Sequence, residues 1–397
     1  MLSALERILL VVGLIFSLLT VCHYILTLDG AVDRDGDVLT RDFLSFYTAA
    51  RMAAADKAAA AYDADQHHAH QALYQPEREI RRPWYYPPAT FLLVIGLSAL
   101  PLVLAYGVWA VCGVLAFLLS MHWLGVRGPP LLLALAPPVG VAALVGQMSL
   151  WISSLFALAI GAMLKRQGWL AGLCLGLMTI KPQLGLMMPF ALVASRQWST
   201  IIMAVITAVG LHGLAYGLFG LATYEAFLKA SLEFRTFVMG QDPLMGDPAI
   251  GISNLYGLLR TFHVPADMAL MAQGGLALGM AIWVWNVWRR GPSPKAATVL
   301  ILATALGSPY IMAYELVTLV LSVGLMFTTM TMTLTRPEHL GRLTMIVGVM
   351  LSGSILPLSH ILGWQIGLLT TLLVCGGFAL SISKKFSFMN SELISAR

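Results

Sequence analysis

Apolar runs of about 20 residues, the length that an α-helix needs to cross a bilayer, alternate with polar connectors along most of the chain. Because no water is available in the bilayer core to pair the backbone, such spans are helical. The chain has 397 residues, which leaves room for about ten to twelve of these helices. We therefore predict an all-α polytopic integral membrane protein that forms a single membrane domain over residues 1–397.

Two polar stretches interrupt the apolar pattern. The longer one, residues 29–88, follows a first apolar run at 1–28 that is longer than a signal-peptide core and lacks a small-residue cleavage site. We predict that this run is a retained helix and that 29–88 is a large outer loop. The remaining predicted segments are transmembrane helices at 89–220, a second outer loop at 221–263, transmembrane helices at 264–385 and a cytoplasmic tail at 386–397.

Prolines and one lysine predict breaks inside the apolar runs. Pro101 divides the run at 89–124 into a short interfacial piece and a full span. The run at 169–195 has basic residues on both flanks and Lys181 in its middle, which predicts a hairpin of two short helices with Lys181 at the apex. The other predicted spans are 131–145, 149–164, 200–219, 264–288, 296–306, 316–334, 343–359 and 361–382.

Composition agrees with this architecture, and the basic residues add an orientation. Of all residues 58% are hydrophobic and 11% are charged, whereas soluble domains average about 25% charged residues. The distribution of Lys and Arg sets the topology of a membrane protein more than the net charge does. The short basic connectors, near positions 127, 165, 196, 289, 336 and 384, fall on one side and both polar loops on the other. We predict a multi-pass protein of the cytoplasmic membrane whose chemistry faces outward.

The first outer loop contains the leading candidate for catalysis. Ten of the nineteen acidic residues of the chain lie in it, and one of them, Asp42, precedes an aromatic, helix-like stretch that runs through Arg51. A carboxylate at the mouth of an apolar cavity is suited to general-base work, because partial desolvation raises its pKa toward neutrality. The alternative is that Asp42 is only the N-cap of the helix that follows it.

Two ionisable residues lie in apolar segments farther along the chain. A lysine in such a segment is by default a functional residue, and phosphate or pyrophosphate would be the natural partner of Lys181. Snorkelling to an interface is the alternative. Glu315 follows Tyr310 and Tyr314, which would share one face if the segment is helical. Glu315 could orient an acceptor or pair with Lys181.

A basic and aromatic cluster closes the first loop. Arg81 and Arg82 precede Trp84-Tyr85-Tyr86-Pro87-Pro88. The planar fork of Arg suits phosphate, while Trp and Tyr suit both sugar stacking and a membrane interface. Gly146-Gln147 adds an amide at an outer turn. We find no phosphate-cradling Gly-rich loop, no dinucleotide fingerprint and no helical His/Glu metal spacing, so we predict no cofactor and no metal ligands, although a divalent metal is not excluded.

Six short motifs follow one another along the chain: Asp42-Phe43 with Tyr47 and Ala49-Ala50-Arg51; Ala61-Tyr62-Asp63; Trp84-Tyr85-Tyr86-Pro87-Pro88; Gly146-Gln147; Leu170-Ala171-Gly172 with Ile180-Lys181-Pro182-Gln183; and Ser308-Pro309-Tyr310 with Tyr314-Glu315-Leu316. Their order resembles that of the family 87 glycosyltransferases, polytopic enzymes of the C-type superfamily that are similar to polyprenyl-phosphate-mannose-dependent mannosyltransferases. The resemblance covers about residues 40–320.

The resemblance implies a C-type glycosyltransferase fold and an inverting transfer of a hexose, first of all mannose, from a polyprenyl phosphate sugar to a hydroxyl of a lipid or glycan acceptor. It implies that Asp42 is the base and that Lys181, Arg82 and Tyr86 bind the donor phosphate. The implied substrate-binding residues are Tyr47, Arg51, Tyr85, Gln147, Gln183, Tyr310, Tyr314 and Glu315. Membrane lipids are expected partners and nucleic acid is not.

Two departures from the family pattern bear on specificity. The family usually has Asn after the Gly-Gln pair, where this chain has Met148, and Asp after the later Tyr, where this chain has Glu315. The second change keeps the charge but moves it by one methylene group. Two other classes stay open at this point: a transporter or flippase of a lipid-linked or anionic substrate, in which the same ionisable residues form a relay, and a ligase of lipid-linked oligosaccharide.

Overall fold

The computed structural model describes residues 3–26, 40–74, 81–240, 251–329 and 335–395. Within these ranges every regular element is a helix, and the β-structure consists of one isolated antiparallel bridge between Ile252 and Met312. The prediction of an all-α protein is confirmed. The first part of the predicted outer loop, up to residue 39, lies outside the described residues.

The N-terminal part of the fold contains one long helix, a compact group of short helices and a second long helix. Pro101 ends the short pieces and lies directly before the second long helix, so the break predicted there is confirmed. The helices are α1 (Ala4–Leu26), α2 (Phe43–Ala54), α3 (Ala64–Gln71), α4 (Phe91–Val94) and α5 (Leu102–Trp123), with 3₁₀ turns at Ala59–Tyr62, Pro88–Thr90 and Ile95–Ala99.

The middle of the chain forms shorter helices separated by proline and glycine turns. Lys181 lies between two 3₁₀ turns that join two short helices, the place expected for the apex, and the hairpin itself stays a prediction. The helices are α6 (Pro137–Val145), α7 (Ser149–Leu164), α8 (Gly168–Leu177) and α9 (Met188–Ala194), with 3₁₀ turns at Pro129–Leu135, Met178–Ile180 and Pro182–Gly185.

The next helix, α10 (Trp198–Gly240), extends well into the stretch that the sequence assigned to a second loop. It consists of two helices joined at Gly220, which has non-helical dihedral angles (φ 75°, ψ 171°). Residues 221–240 are therefore helical, and Asp242 and Asp247 lie outside the described residues. A glycine is needed at the junction because an L side chain rarely adopts this left-handed φ.

The C-terminal part differs from the prediction in where its helices begin. A capping box between Thr335 and Glu338 starts the first of the final helices at Arg336, before the predicted 343, and this helix meets the next at an angle of 79°. The helices are α11 (Leu255–Thr261), α12 (Ala266–Trp288), α13 (Pro294–Gly307), α14 (Leu319–Thr329), α15 (Arg336–Ser352), α16 (Ile355–Leu362) and α17 (Gly367–Ser395), with a 3₁₀ turn at Ala313–Thr318.

Three helices of the described residues are long and apolar enough to cross a membrane: α5, α10 over Trp198–Glu233, and α12. The bent pair α15 and α16 would make a fourth if it is one span, and eight shorter apolar helices have 10–17 residues. The protein is thus a multi-pass helical membrane protein. The count of ten to twelve spans stays a prediction, because prolines and glycines break many of the apolar runs into short pieces.

Small residues set the closest helix contact in the middle of the fold. A Cβ atom on Gly172 of α8 would lie 2.6 Å from the carbonyl oxygen of Thr200 and 2.9 Å from the nitrogen of Ala204, both on α10. Glycines let two backbones approach in this way in membrane proteins. The other side of α10 exposes apolar side chains such as Ile202 and Val209, which are 59% and 67% exposed, as expected for a helix that faces lipid.

One basic residue that the sequence placed between two predicted spans lies within a helix. Arg342 is in α15 and buried, and its Nε lies 3.4 Å from Oε1 of the buried Glu6 on α1. A charge in an apolar interior needs such a partner, and the pair ties α1 to α15 where the sequence predicted a solvated connector.

Candidate active site

Asp42 lies at the start of α2, but its carboxylate does not cap the helix. The backbone N–H groups of Phe43, Leu44 and Ser45 donate to the carbonyls of residues 40, 41 and 42. The carboxylate faces other parts of the chain instead: Oδ2 accepts a hydrogen bond of 2.9 Å from Nε2 of Gln147, and Oδ1 lies 3.6 Å from Nε of Arg82. The alternative of a helix-capping side chain is therefore wrong, and the side chain is 36% exposed.

Aromatic packing fixes the position of α2. The Phe43 ring lies 5.7 Å from the ring of Tyr106 on α5, and the Phe46 ring lies 4.9 Å from the ring of Tyr86. Both phenylalanines are buried, and a buried aromatic side chain contributes much of the packing energy of its element. Asp42 is thus held at the edge of a rigid aromatic layer.

Gly146 brings Gln147 to Asp42. It ends α6 with a φ of 73°, in the left-handed region that favours glycine. A Cβ atom here would also lie 2.6 Å from Cβ of Phe43. Both the dihedral angle and the close approach of the two chain segments therefore require glycine, and the next residue meets the carboxylate.

Tyr86 connects Gln147 to Lys181. The Tyr86 hydroxyl donates to Oε1 of Gln147 at 2.7 Å and lies 3.5 Å from Nζ of Lys181, from which it accepts. Since Oε1 of the amide is occupied by this donor, its NH₂ group is the end that faces Asp42. The Tyr62 hydroxyl holds Tyr86 in place by donating to its backbone carbonyl at 2.6 Å.

Lys181 and Glu315 form a buried ion pair of 2.6 Å between Nζ and Oε1, with side chains that are 4% and 0% exposed. Oε2 of Glu315 accepts from the backbone N–H of Met312 at 2.7 Å, which closes the 3₁₀ turn at Ala313–Thr318. The rings of Tyr86 and Tyr314 lie 5.5 and 5.6 Å from the same ammonium group, within the range of a cation–π interaction. Of the two roles considered for Glu315, pairing with Lys181 is the one observed.

These contacts join six side chains into one continuous polar network: Arg82, Asp42, Gln147, Tyr86, Lys181 and Glu315. We call it the site network. Its donors point in one direction, from the ammonium group through the phenol and the amide to the carboxylate of Asp42. Its two cations and two carboxylates balance, as expected for charges withdrawn from water.

An amide pair fixes the backbone at Arg82. Nε2 of Gln71 donates to the carbonyl of Arg82 at 2.7 Å, and the Arg82 N–H donates to Oε1 of Gln71 at 3.2 Å. His67 on the same helix is fully buried next to Ser45 of α2, with 3.3 Å between Nε2 and Oγ. Burial, helped by the charge of His70, lowers the pKa of His67 to about 3. His67 is therefore neutral and structural at physiological pH.

Other residues predicted to bind substrate lie around or outside the site network. The Tyr47 hydroxyl donates to the carbonyl of Leu100 at 2.8 Å, and Arg51 donates to the carbonyl of Ser98 at 3.2 Å. Both thus brace the segment before Pro101. Gln183 follows Lys181 in the second 3₁₀ turn, and the described residues include no hydrogen-bond partner for its side chain.

Tyr310 and Tyr314 do not share a helix face as the sequence suggested, because the chain bends at the extended residue Met312 between them. Tyr310 packs against Ile252 and Tyr256 and lies within electrostatic range of Asp42 and Glu315. Tyr85 is partly exposed next to the site network.

Two buried amides hold the Ser308-Pro309-Tyr310 bend, and the sequence analysis missed both. Asn254 donates to the carbonyls of Ser308 and Pro309 at 2.8 and 3.1 Å. Gln273 on α12 donates to the carbonyls of Leu306 and Ser308 at 2.9 and 3.0 Å. The available signal for Gln273 was an amide within an apolar helix, since a buried polar side chain must find partners.

An apolar cavity of about 440 Å³ opens between α1, α5 and α6. Its lining includes Leu18 and Leu115, which are 55% and 50% exposed on the outside of the fold. Its inner wall includes Tyr106, which also contacts Phe43 next to Asp42. The cavity therefore leads from an apolar outer surface to the back of the site. Among the described residues, no group of three or more His, Cys, Asp or Glu side chains could hold a metal ion.

One of three comparisons with known proteins found a match. No curated protein matches the sequence, and no solved structure matches the fold. The sequence model of Glycosyltransferase family 87 matches residues 84–313, more than half of the chain. The match contains Tyr86, Gln147 and Lys181, begins after Asp42 and Arg82, and ends two residues before Glu315. The chain is a membrane glycosyltransferase that belongs to family 87.

Proposed function

We propose that the protein transfers a hexose, with mannose as the first candidate, from a polyprenyl phosphate sugar to a hydroxyl of a lipid or glycan acceptor, with inversion at the anomeric carbon. The observation that carries the proposal is the site network, in which a partly exposed carboxylate and two cations from distant parts of the sequence converge. We place the reaction at the outer face of the cytoplasmic membrane, on the basis of the basic connectors. The transferase family favours this function over a transporter.

Asp42 is the proposed base. Its carboxylate accepts the proton of the acceptor hydroxyl as the oxygen attacks the anomeric carbon, and the bond from that carbon to the phosphate oxygen breaks on the opposite face. Gln147 holds the carboxylate in position through its 2.9 Å hydrogen bond. A carboxylate fixed in this way loses less entropy on reaching the reactive geometry.

Arg82 and Lys181 are the proposed partners of the donor phosphate. The leaving polyprenyl phosphate gains negative charge, which preorganised cations stabilise. In the structure each cation is paired with a carboxylate, Arg82 at 3.6 Å and Lys181 at 2.6 Å. The longer contact is the easier one to exchange. When the phosphate draws Arg82 away from Asp42, the carboxylate loses its counter-charge and becomes a stronger base, so that donor binding prepares the acceptor for attack.

The apolar cavity between α1, α5 and α6 supports a lipid-linked donor rather than a nucleotide sugar. Its described lining is almost entirely aliphatic and aromatic, which suits an isoprenoid chain because burial of apolar surface is favourable. The ring of Tyr106, which lines the cavity, lies 5.7 Å from the ring of Phe43, the residue that follows Asp42. The first isoprene units would occupy this cavity while the phosphate lies at the cations.

The second half of α10 is the proposed acceptor side. The Phe227 ring lies 5.8 Å from the Tyr62 ring, which brings α10 over the short helices of the outer segment. Glu233 lies within electrostatic range of the Tyr85 hydroxyl. We propose that Tyr85 and Glu233 contact acceptor hydroxyls. Asp242, a further acid of the predicted second outer loop, lies outside the described residues.

The deciding experiment is transfer of radiolabelled sugar from short-chain polyprenyl phosphate mannose to a panel of lipid and glycan acceptors, with the purified protein in liposomes. Polyprenyl phosphate glucose and a nucleotide sugar serve as competing donors. We expect transfer from a polyprenyl donor, and a loss of about 100-fold or more in Asp42→Asn. Transfer from the nucleotide sugar alone would refute the proposed donor. An Asp42→Asn variant as active as the wild type would refute the proposed base.

Asp63→Asn is the matched control. Asp63 lies in the same outer segment and caps α3 by accepting from the N–H groups of Asp65 and Gln66. The hydrogen bond from Gln66 is the main cause of the lowered pKa of this exposed carboxyl. The same Asp-to-Asn change therefore acts on a cap instead of the site network, and sugar transfer should persist.

A further inference from the structure

A second cavity, of about 300 Å³, lies where α12 ends and α13 begins, and no residue of the site network belongs to its lining. Its lining combines two cations, Arg290 and Lys295, with Ser293 between them in sequence. The volume is at the lower end of the range of small-molecule sites, and the charge selects an anion.

The turn that carries the cations is held firmly. Trp288, which is fully buried, donates from Nε1 to the carbonyl of Ala296 at 2.8 Å and so clamps the two ends of the turn together. Ser293 accepts from the backbone N–H of Ala296 at 3.2 Å and starts α13. Arg290 and Lys295 thus stand on one short, fixed connection, and the cavity is a built feature rather than a gap between loose side chains.

The rest of the lining is apolar. Trp283 and Val287 come from α12, and Phe378 and Ile382 come from α17. On the outer side of α12 the neighbouring Leu278 and Ile282 are 64% and 55% exposed. The cavity therefore combines two cations with apolar walls, on a helix that also exposes apolar side chains, the arrangement that an amphiphile with an anionic head requires.

We propose that this cavity binds the phosphate headgroup of an anionic phospholipid, whose acyl chains lie along the exposed face of α12. Arg290 and Lys295 contact the phosphate, and Trp283 and Phe378 contact the glycerol end of the chains. A soluble phosphate would use only the charged end and would leave the apolar walls in water. The site is separate from the proposed donor site and does not depend on the proposed reaction.

The test measures lipid binding by native mass spectrometry and by the shift in thermal unfolding on addition of lipid to the detergent-purified protein. We expect phosphatidylglycerol to bind at least tenfold more tightly than phosphatidylcholine, and Arg290→Gln/Lys295→Gln to remove that preference. The matched control is Arg289→Gln/Arg336→Gln, which removes two exposed arginines that do not line the cavity and should keep the preference.

Three outcomes would overturn the proposal. The cavity variant could keep the wild-type preference for phosphatidylglycerol, or the control variant could lose it equally, which would indicate a general surface charge effect. Inorganic phosphate at the same concentration could stabilise the protein as well as the lipid does, which would assign the cavity to a soluble anion. Arg290→Gln alone, at an exposed position, gives a folded protein in which a partial loss is expected.

Discussion

Gln147 donates its side-chain amide to Asp42 across 105 positions of sequence, at 2.9 Å. The orientation of the amide is fixed by its other end, because the Tyr86 hydroxyl donates to the amide oxygen at 2.7 Å. An amide fixed at both ends cannot flip, so it presents only a donor to the carboxylate. Gln147 is thereby a positioning residue for the proposed base, and it can be tested separately from the base itself.

Replacement of Gln147 by Glu should move the pH dependence of transfer. The variant places a carboxylate where the amide donates, and a second negative charge disfavours the ionised form of Asp42. We expect the acidic limb of the pH–rate profile to move to higher pH and the maximal rate to fall about tenfold or more. Steady-state rates between pH 5 and 9 measure both effects.

Gln147→Leu separates orientation from charge. It removes the donor without adding a negative charge, so the rate should fall while the acidic limb moves less than in Gln147→Glu, because only the hydrogen bond to the ionised carboxylate is lost. A Gln147→Leu variant that transfers sugar at the wild-type rate would show that the amide does not position Asp42.

The buried pair of Lys181 and Glu315 predicts a non-additive effect on stability. Glu315→Leu leaves a buried ammonium group without its carboxylate, and loss of one partner of such a pair costs about 3–5 kcal/mol. Lys181→Met/Glu315→Leu removes both charges and should recover most of the free energy of unfolding, measured by denaturant titration in mixed micelles. Sugar transfer should stay absent in the double variant, because the proposed phosphate ligand is gone.

A double variant that is less stable than either single variant would contradict this account of the pair. A double variant that transfers sugar would contradict the role of Lys181 while leaving the stability argument intact. The free energy of unfolding thus tests the buried ion pair, and the transfer rate tests the role of Lys181 as a phosphate ligand.

His67 predicts a loss of stability in mild acid. Its pKa is lowered by burial from 6.5 to about 3, so between these values the unfolded chain takes up a proton that the folded protein does not. The stabilising effect of the neutral imidazole is present above pH 6.5 and is lost as the pH falls toward 3. This group contributes at most about 1.4 kcal/mol per pH unit.

The measurement is the thermal unfolding midpoint between pH 7.5 and 4.5. His67→Gln should flatten the pH dependence, whereas His360→Gln, at an exposed position on α16, should leave it as in the wild type. An unchanged slope in His67→Gln would show that another group is responsible for the loss of stability.

The close packing at Gly146 leads us to expect that one added methyl group is enough to disturb the site. Gly146→Ala forces a side chain into φ 73° and brings a Cβ atom to 2.6 Å from Cβ of Phe43. We expect sugar transfer to fall at least tenfold, because the shift separates Gln147 from Asp42. Gly363→Ala is the matched control, since Gly363 also has φ 73° but no atom within 4 Å of the added methyl group.

Both alanine variants carry the left-handed strain, about 1–2 kcal/mol, and should lose similar stability from it. Only Gly146→Ala should, in addition to this loss of stability, lose sugar transfer. Equal transfer rates in the two variants would mean that the contact with Phe43 does not position the site.

The sequence predicted the parts of this fold that depend on local signals. The interruption at Lys181 and the break at Pro101 were predictable because proline and a lysine between basic flanks act on their own segment. The start of α15 was placed too late because its capping box, Thr335 with Glu338, was not recognised. The helix at 221–240 was missed because polar side chains on one face of a helix resemble a loop in composition.

The site was predictable as a set of residues but not as a set of contacts. Asp42, Lys181 and Glu315 stand out as charges next to apolar sequence. That Gln147 rather than the helix N-terminus holds Asp42 depends on how α6 meets α2 in space. Tyr310 and Tyr314 were expected to share a helix face, and the extended backbone at Met312 prevents this. Such relationships between distant segments are not encoded in local periodicity.

The glycines of α8 have a consequence for how this protein can evolve. A Cβ atom on Gly172 would meet the Thr200 carbonyl at 2.6 Å, and one on Gly176 would meet the Ala204 carbonyl at 2.7 Å. In both cases the obstacle is backbone, which no compensating side-chain change on α10 can remove. Positions 172 and 176 must therefore remain glycine unless the whole of α10 moves. The lipid-facing side of α10, in contrast, can accept one apolar residue in place of another.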